Sequence, residues 1–128
     1  MYLINDRLAT HGLDWQWGSK IPEDQIAKPD ASNMIDGFAV LDIRERMLDF
    51  HNSLHVYRRL VNEAIEIMND QGKVVICCSA GVSRSNSIAI GVLVKHFGLT
   101  FEKACEMVRE KVPIADPMPT HLKQLKKL

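Results

Sequence analysis

Cys78-Ser79-Ala80-Gly81-Val82-Ser83-Arg84-Ser85 follows an apolar run, Val74-Val75-Ile76-Cys77, and precedes a helix-like segment over residues 87–97. A strand that passes through a loop into a helix N-terminus gathers free backbone N–H groups and the positive end of the helix dipole in one place. Consecutive N–H groups from Ser79, Ala80, Gly81, Val82, Ser83 and Arg84 can curl into a nest around an anion. Gly81 permits backbone angles that a side chain would block. The Arg84 guanidinium can grip two oxygens of an oxyanion through parallel N–H bonds, which a lysine cannot. The same positive surroundings favour thiolate over thiol at Cys78. A thiolate facing a bound phosphate monoester can attack phosphorus and form a phosphocysteine intermediate. The Ser85 hydroxyl is suited to donate to the sulfur and ease its departure in the second step. A buried structural cysteine beside a surface arginine would explain the bare spacing. The glycine, the serines, the strand before and the helix after weigh against that reading.

These residues resemble the signature loop of the cysteine-based protein tyrosine phosphatases, and Ala80-Gly81-Val82-Ser83-Arg84-Ser85 is most similar to the dual-specificity branch. The similarity continues through Ala104, Val108 and the proline-bearing loop of residues 113–119. Upstream, Asp6-Arg7-Leu8-Ala9-Thr10 resembles the entry strand of some small members. The resemblance implies phosphatase activity with neither a metal nor an organic cofactor. Low-molecular-weight phosphatases and arsenate reductases carry a similar loop near the start of the chain, whereas a strand and a long helix precede it here. Rhodanese-like domains use a shorter loop.

The resembled family places histidine directly before the nucleophile, and this chain has Cys77. Neighbouring side chains of a strand point to opposite faces, so Cys77 is expected behind the loop and outside the pocket. The family histidine braces the loop, and a thiol is a weaker donor. An intact but less rigid loop follows, with the Cys78 thiolate less favoured than in typical members. A Cys77–Cys78 disulfide would strain the backbone. Cys105 falls on the apolar side of a predicted helix with Ala104 and Val108, a core position.

Ester cleavage needs a proton for the leaving oxygen, and a carboxylic acid is the usual donor; the resemblance implies an aspartate roughly thirty residues before the nucleophile. Asp49, twenty-nine positions before Cys78, is the first choice. Asp42 lies in a strand-like segment beside Arg44, where a structural ion pair is more natural. Glu45 has a suitable separation, and Asp116 lies in the proline-bearing loop. Residues 43–53 are short for both a strand end and an acid loop, so these alternatives stay open. His51 and His55 have a spacing that binds metal on a helix, but no third ligand accompanies them and no metal site is expected.

The chain has 128 residues, 16 basic and 16 acidic side chains, and three cysteines. This is enough for one compact domain over residues 1–128 with a real core. Balanced charge gives no bulk attraction to nucleic acid or anionic membranes, and no apolar run has the length of a membrane span. There is no basic-then-apolar leader. An odd cysteine count with one nucleophile suits a reducing, cytoplasmic compartment. A monomer is expected, with a phosphorylated protein as partner.

The predicted class is α/β, a small mostly parallel sheet flanked by helices, like the protein tyrosine phosphatase fold the resemblance implies. Residues 1–12 read as one or two edge strands. Asp14-Trp15-Gln16-Trp17-Gly18 reads as a surface turn whose aromatics pack on the body or line the cleft. Residues 22–27 start a short helix, and residues 28–33 form a loop. Residues 38–43 form a buried strand, residues 53–70 an amphipathic helix from Ser53 to a stop at Gly72, and residues 73–77 the next strand. Helices follow over residues 100–111 and 120–128. Lys123, Lys126 and Lys127 make a basic, solvated last turn.

The expected substrate is phosphotyrosine, with phosphoserine and phosphothreonine admitted by a shallow cleft. Other branches of the superfamily act on nucleotides, RNA 5′ ends, inositol lipids or glycans. The loop between Ser79 and Arg84 has no further lysine or arginine, which weighs against inositol lipids and RNA triphosphates. A pseudophosphatase that merely holds a phosphoprotein is the other class. Cys78, Arg84 and Ser85 oppose it, since a phosphate reader needs no nucleophile.

Overall fold

The computed structural model describes residues 1–15 and 21–128. Five strands, β1 Tyr2–Leu3, β2 Leu8–Gly12, β3 Met34–Ile35, β4 Phe38–Asp42 and β5 Val74–Cys78, form one sheet in the order β1-β2-β5-β4-β3. The central strand β5 runs parallel to both β2 and β4. The two-residue edges β1 and β3 pair antiparallel. The parallel part expected from the sequence is therefore the three-stranded middle of a mixed sheet. All five residues of β5 are buried, as a parallel strand covered on both faces requires.

β2 is the clearest departure. It lies inside the sheet, although residues 1–12, a mix of short apolar stretches and turn residues, read as one or two edge strands. Burial of the two polar side chains is tolerated because each has a partner: the Thr10 hydroxyl donates to Asn86 Oδ1 at 2.8 Å, and His11 Nε2 lies 2.9 Å from Ala27 O.

The helices are α1 Leu54–Gln71, α2 Arg84–Lys95, α3 Phe101–Lys111 and α4 Pro119–Leu125. Of the residues that recur at helical spacing, Leu54, Tyr57, Leu60, Val61, Ala64, Ile65 and Met68, α1 buries all but Leu54 and Ile65, which are half-buried, and its C-cap is Gly72. Ser53 occupies the N-cap position without a side-chain cap bond. α2 starts at Arg84, three residues earlier than periodicity suggested, because its first turn is polar yet buried at Ser85, Asn86 and Ser87. Thr100 caps α3 by accepting from Lys103 N at 3.2 Å. The short helix expected over residues 22–27 is a single 3₁₀ turn, Glu23–Gln25.

Buried residues of all four helices gather with Leu8, Leu41, Ile43, Val74, Ile76 and Cys78 from one sheet face. A smaller cluster on the other face draws on strand and loop residues alone: Ala9, Leu13, Ile35, Phe38, Val40, Val75 and Cys77. Trp15 is exposed, and the rest of the aromatic turn, Gln16, Trp17 and Gly18, lies outside the described residues. Among the described residues no helix is long and apolar enough to cross a membrane. The carboxyl ends of parallel strands are where such sheets hold ligands. There β5 gives way to the loop that leads into α2.

Candidate active site

The end of β5 puts Cys77 and Cys78 on opposite faces, in the smaller and the larger cluster respectively. Both thiols are free, as is buried Cys105. Cys78 Sγ lies 3.2 Å from Ser85 Oγ. As a thiolate, the sulfur would accept from that hydroxyl.

The backbone of the loop is tied outward. Asn86 Nδ2 donates to Gly81 O and Val82 O at 2.9 Å each. Ser87 Oγ donates to Ser83 O at 2.7 Å, and Asp116 N to Val82 O at 3.0 Å. Met118 N donates to Ser83 Oγ at 3.1 Å, so the proline-bearing loop also packs on this segment. Among the described residues no acceptor takes the N–H of Ala80, Gly81, Val82 or Ser83. A row of unpaired donors beside a helix N-terminus is an anion seat.

Gly81 has φ +72°, and a methyl group there would stand 2.9 Å from Gly12 N. Gly12, at the end of β2, is as tightly placed: a methyl group on it would meet Ala80 C at 2.6 Å and Gly81 N at 2.8 Å. The two glycines let strand and loop touch. Gly12 was not legible as a site residue, because only the pairing of β2 with β5 brings it opposite Cys78.

Arg84 joins the loop to the segment ahead of α1. Its Nη1 donates to Arg44 O at 3.0 Å and Met47 O at 3.1 Å, and its Nη2 to Ser79 Oγ at 3.2 Å. Its Nε lies 3.0 Å from Asp49 Oδ1. The Arg84 side chain is 13% exposed and that of Asp49 63%, so the carboxylate is on the open side of the pair. The structure therefore brings Cys78, Ser85, Arg84 and Asp49 to one locus.

The alternative acids stand elsewhere. Asp42 is ion-paired to Arg44 at 2.7 Å, and the Arg44 hydrogen bond holds its carboxyl below the ordinary range. Arg44 also meets Asp14 at 2.6 Å. With Glu45 and Ser79 these residues line a pocket of about 440 Å³ beside the loop. Asp116 is exposed and supports the loop through its backbone.

The segment bearing Asp49 is clamped by a residue that sequence reading passed over. Asn52 accepts from Leu48 N at 2.8 Å and donates to Leu48 O at 2.7 Å, closing a tight loop with Asp49 inside it. Tyr57 Oη lies 3.5 Å from Asn52 Nδ2 and 2.6 Å from His121 Nδ1. Burial pushes the His121 imidazole below its usual range and Tyr57 above its own. These contacts link α1 and α4 to the loop that carries Asp49, positions far apart in the chain.

His51 and His55 do not share a helix face. His51 precedes α1 with φ +64°, and His55 Nε2 takes a 2.8 Å bond from Arg59. No metal-ligating cluster occurs among the described residues. Lys126 sits over the Phe101 ring at 5.5 Å, while Lys123 and Lys127 line a pocket of about 200 Å³ with His51 and Asn52.

Burial pushes the Cys77 thiol from an ordinary 9.0 up to about 12. A proton held more tightly in the folded state stabilises the fold fully below the unfolded value, and that stability is lost as pH climbs through the folded one. Cys77→Ala is therefore expected to lose less melting temperature than wild type as pH rises above about 9. The residual slope would come from Tyr57 and Cys105, both raised by burial. Parallel pH–melting curves for the two proteins would refute this account.

Residues 24–128 match the family model described as the dual specificity phosphatase catalytic domain. The MAP kinase phosphatase with leucine-rich repeats protein 3 of Dictyostelium discoideum is 38% identical over 63 residues, 49% of this chain and 7% of that protein. Human dual specificity phosphatase 28 is 38% identical over 56 residues, 44% of this chain and 32% of that protein. The chain thus matches only a part of each relative's length. The crystal structure of Tk-PTP in the active form superposes with a TM-score of 0.71 and 20% identity, over 99% of this chain and 94% of that one. At that identity the likeness speaks for the fold. With the family model spanning most of the chain, this protein belongs to the dual specificity phosphatase family.

Proposed function

We propose that the chain is a cysteine-dependent phosphatase that hydrolyses phosphomonoesters on proteins: phosphotyrosine, and phosphoserine or phosphothreonine. The observation that carries this reading is the set of unpaired loop amides beside a cysteine whose sulfur lies 3.2 Å from Ser85 Oγ. The amides from Ser79 to Arg84 and the Arg84 guanidinium hold the phosphoryl oxygens, and the Cys78 thiolate attacks phosphorus. The P–O ester bond breaks, and the leaving oxygen takes a proton from Asp49. Water then attacks the phosphocysteine, giving its proton to the Asp49 carboxylate. The P–S bond breaks, sulfur leaves as thiolate under the Ser85 hydroxyl, and inorganic phosphate departs.

Asp49 suits the acid role because it is exposed and lies beside the loop, held there by Arg84, a partner that an incoming phosphate can draw away from it. Asp42 suits it less, because Arg44 keeps it ionised. Three unbridged cysteines fit a reducing compartment such as the cytoplasm. Residues from both ends of the chain support the site, Thr10 through Asn86 and His121 through Tyr57, which favours residues 1–128 acting as one catalytic unit.

Turnover of p-nitrophenyl phosphate and of phosphotyrosine and phosphothreonine peptides tests the reading. Oxyanion binding without turnover by the intact chain would point instead to a phosphoprotein-binding module. Asp49→Asn tests the acid. A donor must be protonated, so activity declines as pH rises through its pKa. The variant is expected to lose about 10²-fold in kcat and the basic limb of its pH–rate profile. A wild-type rate and limb would remove Asp49 from the mechanism.

A further inference from the structure

We infer that Asn86, anchored by Thr10, is the positioning residue that keeps the loop amides turned toward the anion seat, a brace that Cys77 does not provide. The inference deepens the proposed function and rests on it only for the identity of the oxyanion.

A peptide unit is planar and trans, so its C=O and N–H point in opposite directions. Tying a carbonyl outward aims the next residue's N–H inward. Asn86 Nδ2 spends its two hydrogens on Gly81 O and Val82 O, both at 2.9 Å. Those two bonds orient the N–H groups of Val82 and Ser83. The amide faces this way because Thr10 Oγ1 donates to Asn86 Oδ1 at 2.8 Å; the reverse orientation would set two acceptors against its oxygen.

Thr10, on β2, and Asn86, in the first turn of α2, are both buried. The brace thus runs from the strand beside β5, through one side chain, to the loop. Cys77 lends nothing comparable, since its Sγ has Val75 O as its hydrogen-bond partner, at 3.8 Å. The sequence expectation of a looser loop followed from Cys77 alone. The structure supplies the missing hydrogen bonds from the other end of the loop. Ser87 and Asp116 tie Ser83 O and share Val82 O, but only Asn86 reaches Gly81 O among the described residues. Gly81 is the loop residue with φ +72°, in the left-handed region that favours glycine.

The test measures the binding affinity for tungstate and for inorganic phosphate by titration calorimetry, the rate of Cys78 alkylation by iodoacetate against pH, and the melting temperature. The proteins are wild type, Asn86→Ala, Thr10→Val and the double variant. Loss of two oriented donors is expected to weaken both oxyanions by about tenfold or more in Asn86→Ala, and to move the alkylation profile to higher pH. Thr10→Val keeps shape but frees the amide to turn, and is expected to show a smaller loss of the same kind. Because Thr10 acts through Asn86, adding Thr10→Val to Asn86→Ala is expected to change little further. Oxyanion affinities within about twofold of wild type in a folded Asn86→Ala would overturn the inference. So would losses that add fully in the double variant. Should Asn86→Ala not fold, unchanged affinity and alkylation profile in Thr10→Val would overturn it equally. If wild type binds tungstate but turns over no phosphomonoester, the proposed function fails while the brace is still measured.

Discussion

Cys78→Ser is expected to abolish turnover of p-nitrophenyl phosphate, by more than about 10³-fold, while tungstate still binds. A seat of amides and one guanidinium can favour a thiolate at neutral pH, but a serine hydroxyl is far too weak an acid to ionise there. The substitution nearly preserves shape at a side chain that is 2% exposed. Ser85 Oγ, 3.2 Å from the sulfur in wild type, would face a hydroxyl instead. Binding would then be separated from chemistry, because the anion is held by the loop and Arg84. Residual turnover above about a hundredth of wild type would show that another group attacks phosphorus, and the covalent route would fall.

Arg84→Lys is expected to be nearly as damaging despite keeping the charge, at about 10²- to 10³-fold in kcat/KM. The guanidinium serves several partners at once. Nη1 holds the carbonyls of Arg44 and Met47, Nη2 holds Ser79 Oγ, and Nε meets Asp49. An ammonium group is a compact point charge without the planar fork, so it cannot hold these partners together or, in exchange for some of them, grip two oxygens of a phosphoryl group. Both KM and kcat should suffer, the first from lost phosphate contacts and the second from an unanchored Asp49. A lysine variant within about tenfold of wild type would show that charge alone suffices at this position.

Asp49 and Asn86 differ instructively in how visible they were. Asp49 was singled out by the separation from Cys78 that the resembled family implies, a one-dimensional quantity, and the fold brings it to Arg84. Asn86 sits one residue beyond the quoted stretch and was not singled out from the sequence. Its meaning lies in three partners, Thr10, Gly81 and Val82, one of them seventy-six positions away. Tyr57 was read correctly as part of the buried stripe of α1, but its partner His121, sixty-four positions on, carried no pattern of its own. β2 misled for the same reason: residues 1–12, with their turn residues, read as edge strands until the buried partners of Thr10 and His11 are known.

Local chemistry was enough for the α/β class, for α1, β4 and β5, and for the run from Cys78 to Ser85, because periodicity and a nucleophile-to-arginine spacing are properties of neighbouring residues. Folding had to add the interior position of β2, the contact between Gly12 and Gly81, the clamp of Asn52 on the acid loop and the Asn86 brace. Those depend on which distant donors and acceptors meet once water is excluded, and a buried polar group tolerates burial only when a partner is there to receive it.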